Sequence, residues 1–199
     1  MLSDKKVQNQ YPSQASTKGP ADHSPKAWRP WLVLGFVLGA AFLRLLPHPP
    51  NFTPIAAMAL FAGSMMRRSP WVGVALPIAA LFLSDLFIGF HETAWVVYLA
   101  MAIIGAFAIR WQPQSSAGRW ATGTITGSLF FFVTTNFAVW LQTGMYEKSF
   151  AGLVSCFVAA LPFLDNTVVG DFFFSASIFG IWKVLEMTWP QLQTSEADA

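Results

Sequence analysis

Residues 44–55 read RLLPHPPNFTPI, and they lie between two strongly apolar stretches of the chain. Four of the eight residues from position 47 to position 54 are proline. Proline lacks a backbone N–H and clashes with the preceding turn, so a continuous helix cannot run through this segment. Irregular backbone at membrane depth persists only against protein or a water-filled cavity. The segment is therefore either a tight extramembrane turn or a part of a cavity wall, and the rest of the sequence favours the cavity.

The composition is that of a polytopic membrane protein. Of the 199 residues, 54% are hydrophobic and only 11% are charged, whereas about 25% are charged in soluble domains. This length suits one bundle of about six short spans and no second domain. The net charge of +2 is spread along the chain, which argues against a nucleic-acid partner. The single cysteine, Cys156, excludes an intrachain disulfide and a multi-cysteine metal site.

We expect an all-α integral membrane protein, a bundle of six spans within residues 31–186. Residues 1–30 and 187–199 are polar and are predicted to be cytoplasmic tails, the first of them disordered. Residues 150–163 are apolar but short and end near Pro162, which predicts an extra interfacial or re-entrant helix before the last span. The predicted spans are residues 31–46, 53–66, 70–90, 93–109, 119–141 and 166–182.

Basic residues predict the orientation of this bundle. With the N- and C-termini inside, ten of the 12 Lys and Arg residues fall on the cytoplasmic side, as the positive-inside rule requires. Only Arg44 and Lys148 fall outside. The predicted location is the inner (cytoplasmic) membrane of the cell, and the lipid bilayer is the first partner.

Polar residues in four spans lie at similar depth. At about 1.5 Å per residue, Arg44, Asp85, Asn136 and Asp171 lie about 20, 21, 26 and 18 Å from the cytoplasmic ends of their helices. The hydrocarbon core is about 30 Å thick, so all four belong to its outer half. This asymmetry predicts a cavity that opens to the outside.

Buried charge at this depth usually faces the bundle and pairs, because it costs about 2.5–3.5 kcal/mol per residue. Arg44 is expected to pair with Asp85 or Asp171, either to order the helices or to bind a small-molecule substrate. The N-terminus of the second span, with Thr53 as its cap, could bind an anionic group of that substrate. The predicted substrate-binding residues are Arg44, His48, Asn51, Asp85, Asn136, Trp140, Tyr146, Asn166 and Asp171.

Several segments resemble an uncharacterised bacterial membrane family of suspected transport proteins. These segments are RLLPHPPNFTPIAAMALFAG, SDLFIG, TNFAVWLQTGMY and CFVAALPFLDNTVVGDFFFS. That family is similar in size, layout and site position to the S components of energy-coupling factor (ECF) vitamin transporters. The resemblance implies a substrate-capture subunit, with a transmembrane coupling subunit and ATPases as partners. The chain departs from the family's pattern at Asp165, where a neutral or basic residue is expected.

Other sequence features leave some alternatives open. Gly35 and Gly39 form a small-residue pair on the first span, which suits either packing within the bundle or docking to another helix. No nucleotide-binding loop is present, and no motif indicates a cofactor. A structural or assembly protein is the main alternative function. A metal site using His48, His91 and Asp85, and an intramembrane enzyme using Asp85 and Asp171, are weaker ones.

Overall fold

The regular structure of the protein is helical throughout the part of the chain that a computed structural model describes, residues 28–189 and Leu192. A short 3₁₀ turn at Pro113–Ser115 precedes the fifth helix. The all-α prediction is confirmed, and the predicted tails fall almost wholly outside the described residues. The helices are α1 (Arg29–Leu43), α2 (Ile55–Met65), α3 (Pro70–Ile88), α4 (Ala94–Trp111), α5 (Ala117–Gln142) and α6 (Phe150–Thr188).

The helices have the length and surface of a membrane-embedded protein. Four of them, α3 to α6, are long and apolar enough to cross a bilayer, while α1 has 15 residues and α2 has 11. Large apolar side chains also point outward, for example Trp71 at 86% exposure and Phe87 at 76%. Soluble monomers rarely expose such large apolar surfaces, so lipid is the solvent that suits them.

The short helix α2 lies at the centre of the bundle. All 11 of its residues are buried, and it contacts each of the other five helices. Small side chains permit this close packing. A Cβ atom added to Gly63 would overlap the backbone carbonyl of Gly105, so α2 and α4 touch backbone to backbone at this point. At about 1.5 Å per residue α2 is about half as long as the hydrocarbon core is thick.

The prediction of a separate short helix at residues 150–163 is wrong, because α6 runs without a break from Phe150 to Thr188. Pro162 lies inside it, and membrane helices tolerate such a proline when nearby groups satisfy the freed backbone. The helix must nevertheless bend. Phe157 packs on Phe132 of α5, while Asp171 bonds to Ser128, four residues earlier on α5. A straight helix would span about 21 Å between the two α6 positions, against about 6 Å on α5. Pro162 lies between the two contacts, where a bend is expected.

The two ends of the bundle differ in charge. We call the end that holds the α2–α3 and α4–α5 connections the basic end, since it carries Arg67, Arg68, Arg110, Arg119 and Lys183. Gln114 Nε2 donates to the carbonyl of Ser64 there, at 3.4 Å, which ties the α4–α5 connection to α2. We call the opposite end, which holds residues 44–54, the proline end.

Candidate functional site

An ion pair joins α1 to α3 at the proline end. Arg44 caps the C-terminus of α1, and its Nη1 donates to Asp85 Oδ1 at 2.9 Å. The same nitrogen donates to Ser84 Oγ, whose own hydroxyl donates to the carbonyl of Leu81. The two charged side chains are 11% and 5% exposed. Of the two partners predicted for Arg44, the structure therefore selects Asp85.

The periodicity of α3 explains why this carboxylate is buried. The buried residues of α3 recur every three or four positions from Gly73 to Asp85, so Asp85 lies on the face that meets the bundle. Its second oxygen is also occupied, because Tyr98 of α4 donates its hydroxyl to Oδ2 at 2.7 Å. Three helices thus meet at one carboxylate. Tyr98 was not among the predicted site residues, although its place on α4, near the height of Asp85, was visible in the sequence.

Arg44 keeps part of its guanidinium group uncommitted. Its Nε atom is buried and has no hydrogen-bond partner among the described residues. Asp85 takes only Nη1. A buried donor without an acceptor costs roughly 1–3 kcal/mol, so this N–H is a place where a bound oxygen atom would be stabilised.

Residues 44–54, which we call the proline segment, begin at the ion pair and contact α6. His48 and Asn51 are exposed, and Asn51 adopts a positive φ of 61°, which asparagine tolerates. Asn166 Nδ2 donates to the carbonyl of Pro50 at 3.0 Å and ties the segment to α6. Phe52 packs on the ring of Phe174 at 5.3 Å between centroids. Three of the predicted site residues, Arg44, His48 and Asn51, therefore belong to this segment, and a fourth, Asn166, binds it.

Asp171 does not join this ion pair. Its carboxylate accepts a hydrogen bond from Ser128 Oγ at 2.7 Å and interacts with the backbone N–H of Ala56 at the start of α2. Asp171 thereby caps the N-terminus of α2. The sequence suggested that a ligand anion could bind at this N-terminus, and in the structure the chain's own Asp171 carboxylate lies beside it. Thr53 was the expected cap, but α2 begins at Ile55 and shows no side-chain cap from its own segment.

The remaining predicted residues lie along the α5–α6 hairpin. Asn136 Nδ2 donates to the carbonyl of Phe132 on its own helix, at 2.8 Å. Trp140 Nε1 donates to the carbonyl of Glu147 at 2.9 Å, and Lys148 lies 5.9 Å from the centre of the Trp140 ring. Tyr146 is half-buried in the same connection. The hydrogen bonds of Asn136 and Trp140 stay within the hairpin, and they do not reach Arg44 or Asp85.

A buried polar seam between α5 and α6 was missed by sequence reasoning. We define the polar seam as Trp120, Thr124 and Ser128 of α5 with Asp171 and Ser175 of α6. Trp120 Nε1 donates to Ser175 Oγ at 2.7 Å, and Thr124 Oγ1 lies 3.2 Å from the same atom. The signal was present as a spacing of four residues on both helices, which places each set on one face. Single hydroxyl residues in apolar helices are common, so the spacing alone did not distinguish them.

A cleft of 260 Å³ opens at the basic end. Trp120, Phe179 and Trp182 contribute apolar walls, while Lys183 and Glu186 carry its charges. Trp182 Nε1 donates to Glu186 Oε1 at 2.8 Å. This cleft lies at the opposite end of the bundle from Arg44, so it is separate from the cavity that the sequence predicted.

The fold does not bring together the residues of the two weaker alternatives, the metal site and the intramembrane enzyme. His48 and His91 are exposed, while Asp85 is held by Arg44 and Tyr98. Within residues 28–189 no three His, Cys, Asp or Glu side chains form a group that could hold a metal ion. Asp85 and Asp171, which an intramembrane enzyme would use as a pair, bind different partners on different helices.

Comparison with known proteins gives a family but no activity. Residues 25–192 match the model of the family of unknown function DUF6580. The chain belongs to the DUF6580 family. Searches of curated proteins and of solved structures give no match. The match covers all six helices of the bundle, so the ion pair, the proline segment and the polar seam all lie within the DUF6580 region.

Proposed function

We propose that this DUF6580 protein is a multi-pass membrane transport component that captures a small-molecule substrate at the Arg44–Asp85 pair. The observation that carries the proposal is the Nε atom of Arg44, which is buried and has no partner among the described residues. A substrate oxygen at this atom would remove an unsatisfied donor. The proline segment above the pair supplies exposed polar groups, His48 and Asn51, through which a substrate would pass.

The charge balance of the pair limits the substrate class. Asp85 already neutralises Arg44 at 2.9 Å, and its other oxygen is bound to Tyr98. A neutral acceptor, such as an amide carbonyl, therefore fits as well as a carboxylate. A vitamin or vitamin precursor with an anionic or amide group has this chemistry. Arg44 would hold its oxygen, and Asp85 would keep the guanidinium group oriented.

The orientation in this proposal follows from the two ends of the bundle. The basic end carries Arg67, Arg68, Arg110, Arg119 and Lys183, and cytoplasmic connections are enriched in such residues. We therefore place the basic end in the cytoplasm and the proline end outside, with both termini inside and all six helices in the inner membrane of a bacterial cell. The capture site would then receive its substrate from the exterior.

A coupling partner is part of the proposal. Gly35 and Gly39 do not pack within the bundle, since a Cβ built on either residue finds no atom within 4 Å among the described residues. The glycine pair is instead exposed on the outer face of α1. A face of this kind allows another transmembrane helix to approach closely. With the resemblance to ECF S components, it supports a transmembrane coupling subunit driven by ATPases as the partner.

Ligand identification tests the proposed function directly. The wild-type protein and the Arg44→Gln variant would be purified in lipid nanodiscs and analysed by native mass spectrometry. We expect a small molecule that is retained by the wild type and by an Asp165→Asn control, and is lost from Arg44→Gln. Asp165 is exposed on α6, so the control changes charge away from the site. A wild-type protein that retains nothing, from cells grown in rich medium, would favour a structural or assembly role.

A further inference from the structure

Asp171 is a buried carboxyl group that the proposed capture site does not use. It is 2% exposed, and it lies on α6 where this helix packs against α2 and α5. Its polar neighbours are neutral, namely the Ser128 hydroxyl, which donates to it, and the backbone N–H of Ala56. No ion pair to Asp171 exists within the described part of the chain. A carboxylate buried among apolar helices without a counter-ion is destabilising, and this favours its protonated form.

The elements packed around Asp171 offer it no cation. Helix α2 has no titratable residue, and the only charged residue of α5 is Arg119, nine positions before Ser128 and close to the basic end. The proline segment carries Arg44, which is paired with Asp85, and His48, which is exposed. The other charged residues of α6 lie elsewhere, since Asp165 is exposed and Lys183 and Glu186 line the cleft at the basic end.

The polar seam can provide hydrogen-bond partners for Asp171 in both its ionised and its protonated state. The Ser128 hydroxyl lies within reach of two acceptors, Asp171 Oδ2 at 2.7 Å and the carbonyl of Thr124 at 3.0 Å. When Asp171 is ionised, Ser128 donates to the carboxylate. When Asp171 is protonated, its O–H donates to Ser128 Oγ, and Ser128 turns its own hydrogen to Thr124. Neither state leaves a buried donor without an acceptor, so the exchange avoids the desolvation penalty of an unpaired group.

The seam also extends from Asp171 towards the basic-end cleft. Ser175, four residues after Asp171, is bonded to Trp120 and lies 3.2 Å from the Thr124 hydroxyl. Trp120 lines the 260 Å³ cleft at the basic end. The hydroxyl groups of Ser175, Thr124 and Ser128 therefore lie between the cleft and Asp171, with Ser128 bonded to the backbone carbonyl of Thr124. The Trp120 indole marks the cleft end of this row, but it can only donate a hydrogen bond and does not itself carry a proton.

We propose that Asp171 is a proton-binding site that exchanges its proton with the basic-end cleft along the polar seam. In this step a hydronium ion in the cleft gives up one proton and becomes water. The Asp171 carboxylate takes up that proton and becomes a neutral carboxylic acid. Binding the proton removes the negative charge that caps α2, so proton occupancy and the position of the central helix are linked. This site shares no residue with the Arg44–Asp85 pair, and the proposal stands without the capture function.

Infrared difference spectroscopy in nanodiscs tests the proton site. Spectra recorded at acid and at alkaline pH should differ by the C=O stretching band of a protonated carboxylic acid, and labelling with ¹³C-aspartate should shift that band. We expect Asp171→Asn to remove it and Asp165→Asn, on the exposed face of the same helix, to leave it unchanged. A wild-type protein without an Asp171-dependent band, at every pH where it remains folded, would overturn the proposal, since Asp171 would then be permanently ionised.

Two further variants give a second check on the assignment of the band and examine the route of proton exchange. Ser128→Ala keeps the carboxyl group but removes its hydroxyl partner, so the aspartate band should change frequency even if Asp171→Asn fails to fold; an unchanged band contradicts the assignment. In D₂O, Ser175→Ala should slow hydrogen–deuterium exchange of the acid at least tenfold. Thr134→Val, which removes a hydroxyl of α5 that bonds within its own helix, is the matched control. Equal exchange rates in both variants would exclude the seam as the route.

Discussion

The carboxylate of Asp171 interacts with the backbone N–H of Ala56, so a residue of the last helix caps the first turn of the second. Carboxylates stabilise helix N-termini because they satisfy free N–H groups and oppose the positive end of the helix dipole. The central helix α2 therefore depends on α6 for its start as well as for its packing.

This cap predicts that two substitutions of Asp171 reduce the stability of the protein to different extents. Asp171→Asn keeps an oxygen that can accept from Ala56, whereas Asp171→Ala leaves the donor unpaired, at a cost of about 0.5–2 kcal/mol for a lost cap. We expect Asp171→Ala to lower the melting temperature in detergent more than Asp171→Asn does. Asp165→Ala, on the exposed face of α6, should have little effect. Equal melting temperatures for Asn and Ala would contradict the capping role.

The ion pair predicts that conservative substitutions of Arg44 and Asp85 affect ligand affinity more than they affect the melting temperature. Arg44→Gln and Asp85→Asn replace one charge with a neutral amide, and each should weaken binding of the small molecule that native mass spectrometry identifies by tenfold or more, about 1.4 kcal/mol. Their melting temperatures should fall less than that of Asp85→Ala, because the amide keeps hydrogen-bonding groups at the position. Removing one partner entirely, as in Asp85→Ala, leaves a buried charge unpaired and costs roughly 3–5 kcal/mol. Lower melting temperatures with unchanged affinity in the conservative variants would assign the pair to helix packing alone.

The charge distribution predicts which residues face the cytoplasm. Single cysteines at Arg67, Arg119, His91 and Glu147 would be introduced into a Cys156→Ser background, and all four positions are exposed. An impermeant thiol reagent added to whole cells should label positions 91 and 147 and leave 67 and 119 unlabelled. The opposite pattern would reverse the orientation and place the Arg44–Asp85 pair on the cytoplasmic side.

The contact between α2 and α4 predicts a steep difference between two glycines. Gly63→Ala would push a methyl group into the carbonyl of Gly105, whereas Gly35→Ala meets no atom within 4 Å among the described residues. Alanine is also the better helix former, by roughly 0.5–1 kcal/mol. We expect Gly63→Ala to reduce folded yield and melting temperature and Gly35→Ala to maintain or raise them. Tolerance of Gly63→Ala would show that the two helices are further apart.

The exposed glycine face of α1 predicts a docking defect. The double variant Gly35→Leu with Gly39→Leu should lose co-purification with a transmembrane coupling subunit while it keeps its fold and its ligand. Bulky side chains would prevent the close approach of another helix. As a control, the same substitution at Ala75, exposed on α3, should leave co-purification intact. A double variant that does not fold would contradict the outward position of the pair.

The sequence was sufficient for the helices that charges and prolines delimit. Arg67 and Arg68 separate α2 from α3, and the four prolines of residues 47–54 separate α1 from α2. Pro162 was misleading, because its ring lies on an exposed face of α6 where the helix can bend rather than end. The local rule for proline holds in isolated helices, but packing against α5 keeps both halves of α6 helical.

The predicted depth of each polar residue in the membrane was sufficient to anticipate only part of the site. The depth estimate placed Arg44 and Asp85 at one height, and the structure joins them. Depth could not reveal that Asp171 faces Ser128 and Ala56 instead, since the direction of a side chain depends on the rotation of its helix. The polar seam was missed for the same reason, because its hydroxyl groups form a cluster only when the rotations of α5 and α6 bring them to one interface.

The complete burial of α2 has a consequence for how the protein is made. The chain is synthesised from its N-terminus, and Asp171 follows Ala56 by roughly 115 residues. At about 5–20 residues per second, the central helix waits roughly 6–23 s for the residue that caps it. During that interval its first N–H groups face whatever surrounds the nascent chain. The native core of this protein therefore closes last, when its final helix arrives, although the helix at its centre is among the first to emerge.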